Sequence, residues 1–127
     1  MNKLVSALAT AVALAAPPAF ATDGQTHGSD GPVTLINVFT VPHGKADEAI
    51  KFWENAAEFM RKQPGYISTA LHQSIQPDAK FQLINVAKWE SVEAYKNASR
   101  ARRTQTGSRP PEGLIPAPAV YTVIRMD

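Results

Sequence analysis

The stretch Phe81 to Tyr95, FQLINVAKWESVEAY, decides the fold. It reads as an apolar strand carried to Trp89, which passes within two residues into a helix beginning after Ser91. Alternation sets Phe81, Leu83, Asn85, Ala87 and Trp89 on one face and Gln82, Ile84, Val86 and Lys88 on the other. An amide among apolar neighbours on a half-buried strand costs stability unless something hydrogen-bonds to it. Asn85 is therefore either a satisfied structural residue or one wall of a ligand pocket.

The same pattern recurs upstream. Val33 to Val41, VTLINVFTV, is almost entirely β-branched or aromatic, the mark of a strand covered on both faces. Its alternation groups Val33, Leu35, Asn37, Phe39 and Val41, again with a single asparagine in an apolar row. Pro42-His43-Gly44 ends that strand, and Lys45 to Lys62 then reads as an amphipathic helix. Ala49, Trp53, Ala56 and Met60 form its stripe, and Asp47 and Glu48 at one end with Arg61 and Lys62 at the other suit the helix dipole. At Trp53 and Met60 ordinary core packing is the preferred account. Gln63-Pro64-Gly65 stops the helix; Tyr66 to Ile75 is the next strand and forms an antiparallel hairpin with the opening stretch.

Ser91 is a good N-cap for a second helix, expected from Val92 to about Arg102, with Val92, Tyr95 and Ala98 or Ser99 facing inward. Four prolines and two glycines make Thr104 to Pro118 a long loop. Val120 to Met126 is the expected last strand. The order β-α-β-β-α-β is the ferredoxin-like arrangement of an α+β fold: a four-stranded antiparallel sheet with both helices on one face. The first and third strands are apolar on both faces, which implies a homodimer joined through the open sheet face.

Composition narrows the function. Residues 1–21 read as a cleaved secretory signal: Lys3 is followed by the apolar run Leu4 to Ala16 and by Ala19-Phe20-Ala21 before the cut. Residues 22–31 form a flexible polar leader and 32–127 the folded domain, in a periplasmic or secreted protein with no stable membrane insertion. The sequence contains no cysteine, which excludes disulfides, thiolate catalysis and cysteine-held metals; no metal site is expected. The net charge is +2, and Arg100, Arg102, Arg103 and Arg109 gather near the second helix. Without interleaved aromatics they read as a solvated helix end and a loop cation, and no nucleic-acid partner is expected.

VTLINVFTVPHGKADEAIKFW, QPGYISTALHQS and NVAKWESVEAYKNA together resemble the antibiotic biosynthesis monooxygenase family, whose subunits form dimeric α/β barrels of this topology. Two branches of that family bear on the site. Its cofactor-independent oxygenases, which turn polycyclic phenols into quinones, use an asparagine and a tryptophan four apart on strand 3. They add a tyrosine in the next helix and an arginine in the loop after it. The resemblance implies Asn85, Trp89, Tyr95 and Arg109 for those catalytic roles; Asn37, Phe39, His72 and Trp53 are the expected substrate-binding residues. The haem-degrading branch needs an axial histidine in helix 2, and Ala98, Ser99 and Arg100 stand there instead.

In such an oxygenase the substrate is its own reductant: a phenolate reduces dioxygen, and the products are a quinone and water. Asn85 and Asn37 would hydrogen-bond the phenolate or peroxide, Trp89 offer an indole N–H and a flat wall, Tyr95 donate a proton, Arg109 meet negative charge and His72 serve as a general base. Each residue also has a plainer account. The two asparagines satisfy each other or nearby backbone, Trp89 plugs a strand end, Tyr95 packs, Arg109 is a loop cation, and His72 is satisfied or exposed. The expected function is oxidation of a phenolic or quinol-like aromatic by O2 with no cofactor. The alternative is a non-catalytic dimeric module that binds a small ligand or haem.

Overall fold

The computed structural model describes residues 31–127, so the signal and most of the leader read above lie outside the described residues. The elements are β1 (Val33–Thr40), α1 (Ala46–Met60), β2 (Tyr66–Gln73), β3 (Leu83–Trp89), α2 (Val92–Thr106) and β4 (Ile115–Tyr121). They form one antiparallel sheet in the order β2-β3-β1-β4, the ferredoxin-like α+β arrangement expected from the sequence. The two strands read as apolar on both faces, β1 and β3, hold the centre.

Four boundaries differ from the sequence reading, each for a local reason. Gln82 does not extend β3; its side-chain amide donates to the carbonyls of Gln76, Pro77 and Ala79 at 3.1–3.3 Å and ties down the hairpin loop. α1 ends at Met60 with Arg61 as C-cap, so neither Arg61 nor Lys62 lies in its last turn. α2 begins as expected at Ser91, whose hydroxyl accepts from the Ala94 N–H at 3.0 Å, but it runs a full turn further. The hydroxyls of Thr104 and Thr106 donate to carbonyls of the preceding turn, and Gly107 closes the helix at φ 58, a left-handed conformation that glycine adopts without strain. β4, expected from Val120, instead starts at Ile115 and includes Pro116 and Pro118, which pair with Phe39 and Asn37 of β1. Proline is tolerated there because β4 is an edge strand.

A fifth difference changes which residues face the helices. The β2–β3 register shifts between Tyr66 and Ser68, so Tyr66 stands with Trp89 while Ser68 stands with Lys88. The bulge puts Tyr66, Thr69 and Leu71 on the helix side and Ser68, Ala70 and His72 on the open side. His72 therefore does not share a face with Tyr66 and is exposed on the side away from the helices.

Candidate active site

The helix face of the sheet is built in rungs. Trp89 and Val33 form one, Ala87 and Leu35 the next, then Asn85 and Asn37, then Leu83 and Phe39. The apolar rungs nucleate two separate core clusters. Val33, Leu35, Ala87, Trp89 and Ala98 make the first; Phe39, Ala49, Leu83 and Leu114 make the second. The asparagine rung lies between them. A cavity of about 620 Å³ opens above it, walled by β1, β3, both helices and the 107–110 loop. That volume is in the range of small-molecule sites.

The polar floor of this cavity is only partly satisfied. Thr69 Oγ1 donates to Asn85 Oδ1 at 2.7 Å, a diagonal contact from β2 made possible by the bulge. Asn37 Oδ1 and Trp89 Nε1 are buried and without any partner. Buried polar atoms in folded proteins are nearly always hydrogen-bonded. Both atoms belong to residues that border the cavity, so unmet hydrogen-bonding capacity is concentrated in its floor.

Trp89, 1% exposed, is held by edge contacts with Tyr66 at 5.6 Å and Tyr95 at 5.9 Å between ring centroids. Tyr66 arrives through Gly65, whose φ of 88 allows the turn and where a side chain would overlap the Ala94 methyl of α2. This close approach sets β2 against the start of α2. Trp53 packs on the second cluster and also borders the cavity, so it serves as core and wall at once.

Of the residues read as candidates from the sequence, Asn37, Phe39, Trp53, Asn85, Trp89, Tyr95 and Arg109 all border this cavity. His72 does not, because the bulge turns it to the other sheet face. Two contributors escaped the sequence reading. Thr69, not Asn37, satisfies Asn85, a pairing that depends on the bulge. Arg102, read as a solvated helix end, is half-buried, and its guanidinium lies 5.1 Å from the centre of the Phe52 ring. Burial lowers its pKa from the ordinary value. Its spacing of seven from Tyr95 on one helix face was the available signal.

Haem held by a histidine does not fit these residues. Among the described residues His43 and His72 are both exposed and neither borders the cavity, and on α2 Ala98, Ser99 and Arg100 offer no imidazole.

The architecture agrees with what this chain is similar to. No curated protein sequence matches it. Among solved structures, a candidate monooxygenase from Shewanella loihica PV-4 is 50% identical, over 76% of this chain and 97% of that one, with a TM-score of 0.71. SnoaB, a cofactor-independent oxygenase from Streptomyces nogalater, shares the fold at 23% identity, 76% and 96% coverage and a TM-score of 0.55. A haem-degrading protein from Mycobacterium tuberculosis does so at 22% identity, 76% and 98% coverage and a TM-score of 0.52. The family model described as antibiotic biosynthesis monooxygenase matches residues 32–107, from the start of β1 to the glycine that closes α2. The chain belongs to the antibiotic biosynthesis monooxygenase family.

Proposed function

We propose that this protein is an exported, cofactor-independent monooxygenase that oxidises a phenolic or quinol-like aromatic with O2. The observation that carries the reading is the buried, unpartnered pair Asn37 Oδ1 and Trp89 Nε1 on two residues that border the cavity. A phenol in this slot hydrogen-bonds at the asparagine rung and loses its proton to water at the cavity mouth, while Trp89, two rungs away, forms a flat wall for the ring system. The electron-rich anion then reduces O2, and the peroxide that forms on the ring carbon breaks down to a carbonyl and water. Of the two oxygen atoms, one stays in the quinone and one leaves as water, with four electrons drawn from the substrate. Tyr95 supplies the proton to the departing oxygen, and Arg109 from the neighbouring loop meets the developing negative charge.

SnoaB is described as a cofactor-independent oxygenase on this fold, and the half-identical Shewanella protein as a candidate monooxygenase, which supports the oxygenase reading. The protein acts as a homodimer joined through the open sheet face, where Ile36, Val38, Ile84 and Val86 stand together. Its periplasmic placement rests on the signal-like residues 1–21. N-terminal sequencing of protein recovered from the periplasm checks the cut after Ala21.

The decisive test is oxygen uptake by the purified, metal-free protein with a panel of anthrones and hydroquinones. Quinone should form in step with O2 consumed, and one atom of labelled dioxygen should enter the product. Tight binding of the same aromatics with no turnover would instead leave a non-catalytic ligand-binding module.

A further inference from the structure

The cavity carries more positive charge than oxidation of a neutral phenol requires. Arg102, Arg103 and Arg109 all border it, and among the described residues no aspartate or glutamate does. The ion pair recorded among those residues, Lys45 with Glu48 at 3.1 Å, is exposed at the start of α1. Arg102 is the most deliberately placed of the three. Its guanidinium lies over the Phe52 ring and makes one long contact, to Ser108 Oγ at 3.4 Å. A guanidinium has five N–H donors, so most of them are left for something else. Partial burial of an unpaired cation is unfavourable, and that cost is offset when an anion arrives.

The position of Arg102 also orients the ligand. Tyr95 packs beside the Trp89 cluster, whereas Phe52, under Arg102, packs with Phe39 and Leu83. Arg102 follows Tyr95 by seven residues, about 10 Å along the helix at its usual rise. The cavity thus has a Trp89–Tyr95 end and an Arg102 end, separated by the length of a fused-ring aromatic with its substituents.

We propose that Arg102 is an anion-anchoring residue and that the substrate is an aromatic carboxylate whose acid group lies under Arg102, with the oxidised ring towards Trp89 and Tyr95. A planar carboxylate suits the fork of a guanidinium, which binds it through two parallel hydrogen bonds. Arg103 and Arg109 add attraction at the mouth and draw the acid in. The orientation rests on the oxygenase reading of the site; the anchor itself does not, and is tested by binding alone.

The experiment is calorimetric titration of the full protein with a hydroxynaphthoate, its uncharged methyl ester and naphthol. The acid should bind wild type about tenfold or more tighter than the ester, the effect expected of a charge-assisted pair. That preference should shrink as KCl is raised. It should fall most of the way in Arg102→Gln, to the weak remainder that Arg103 and Arg109 supply, and survive in larger part in Arg102→Lys. Equal binding of acid and ester by wild type, no binding of either, or a full preference retained in Arg102→Gln would each overturn the anchor. If Arg102→Gln does not fold, loss of the wild-type preference at high salt supports the anchor and its persistence overturns it. Oxygen uptake separates the two proposals. An acid preference without any turnover keeps the anchor and removes the oxygenase, while turnover of neutral phenols with no acid preference does the reverse.

Discussion

Asn37 and Asn85 face each other across β1 and β3, yet their side chains do not satisfy one another: Asn85 Oδ1 takes the Thr69 hydroxyl at 2.7 Å, and Asn37 Oδ1 is left buried without a donor. Two residues that look equivalent in the sequence therefore respond oppositely to the same change. Asn37→Leu removes an unpaired buried acceptor and should be neutral or stabilising in urea denaturation. Asn85→Leu strands the Thr69 hydroxyl and should cost about 1–3 kcal/mol. Both should lower oxygen uptake by about a hundredfold, the scale of losing a preorganised polar contact. An Asn37→Leu protein that is clearly less stable would mean its oxygen has a partner after all.

Trp89 combines packing with an unspent N–H, and Trp89→Phe separates the two. A phenyl ring keeps edge contacts with Tyr66 and Tyr95 but lacks the indole donor and fills less space. The variant should fold, losing about 1–3 kcal/mol for the smaller ring, whereas Trp89→Ala should lose about 3–5 kcal/mol. Turnover in Trp89→Phe should fall much further than stability does. Equal kcat in the two proteins would reduce Trp89 to a core plug.

Arg102→Met keeps a flexible stem over Phe52 and removes a half-buried charge. Because burial lowers the Arg102 pKa, folding disfavours its charged form. Stability linked to this group therefore rises only as pH climbs through that lowered value, in the strongly alkaline range, and is flat around neutrality. Without ligand, the methionine variant should be no less stable than wild type near neutral pH, as read from thermal melts. A large loss would show that the guanidinium is structural.

Gly65→Ala introduces a methyl where the chain is in a left-handed conformation and where Ala94 already occupies the space. It should destabilise the protein by about 1–3 kcal/mol. Adding Ala94→Gly should recover the overlap but not the backbone strain, so the double variant should lie between the two. Full recovery would leave the φ of Gly65 without energetic weight.

On the open face, Val86 pairs with Ile36 and Ala70 in the middle of the sheet. Val86→Glu should halve the mass seen by sedimentation equilibrium without changing the circular dichroism spectrum, since a carboxylate buried against a second sheet has no partner. A monomeric wild type would remove the face-to-face dimer.

How much of this was legible from the residues depends on which interactions are local. The apolar runs of β1 and β3, the Ser91 cap and the isolated asparagines all follow from short-range pattern, and the fold follows from them. β4 was misjudged because Pro116 and Pro118 read as loop residues, and only an edge position makes them acceptable in a strand. The face of His72 was misjudged because strict alternation ignores a bulge that turns on pairing with β3. Arg102 was placed in a helix end because the stop at Gly107 depends on threonine hydroxyls bonding back into the last turn. Each miss lies where a distant strand or a side-chain bond overrides the local rule.

The two prolines of β4 have one more consequence. They occupy alternate positions in a strand that stays paired with β1 from end to end, so the amide hydrogens they lack are missing from its outer margin. The opposite margin, β2, is broken by its bulge. Neither side of the sheet offers a foreign chain an unbroken row of donors and acceptors to copy, which is the template that open-ended fibres need. The molecule is thereby guarded against polymerising sideways through the edges of its sheet.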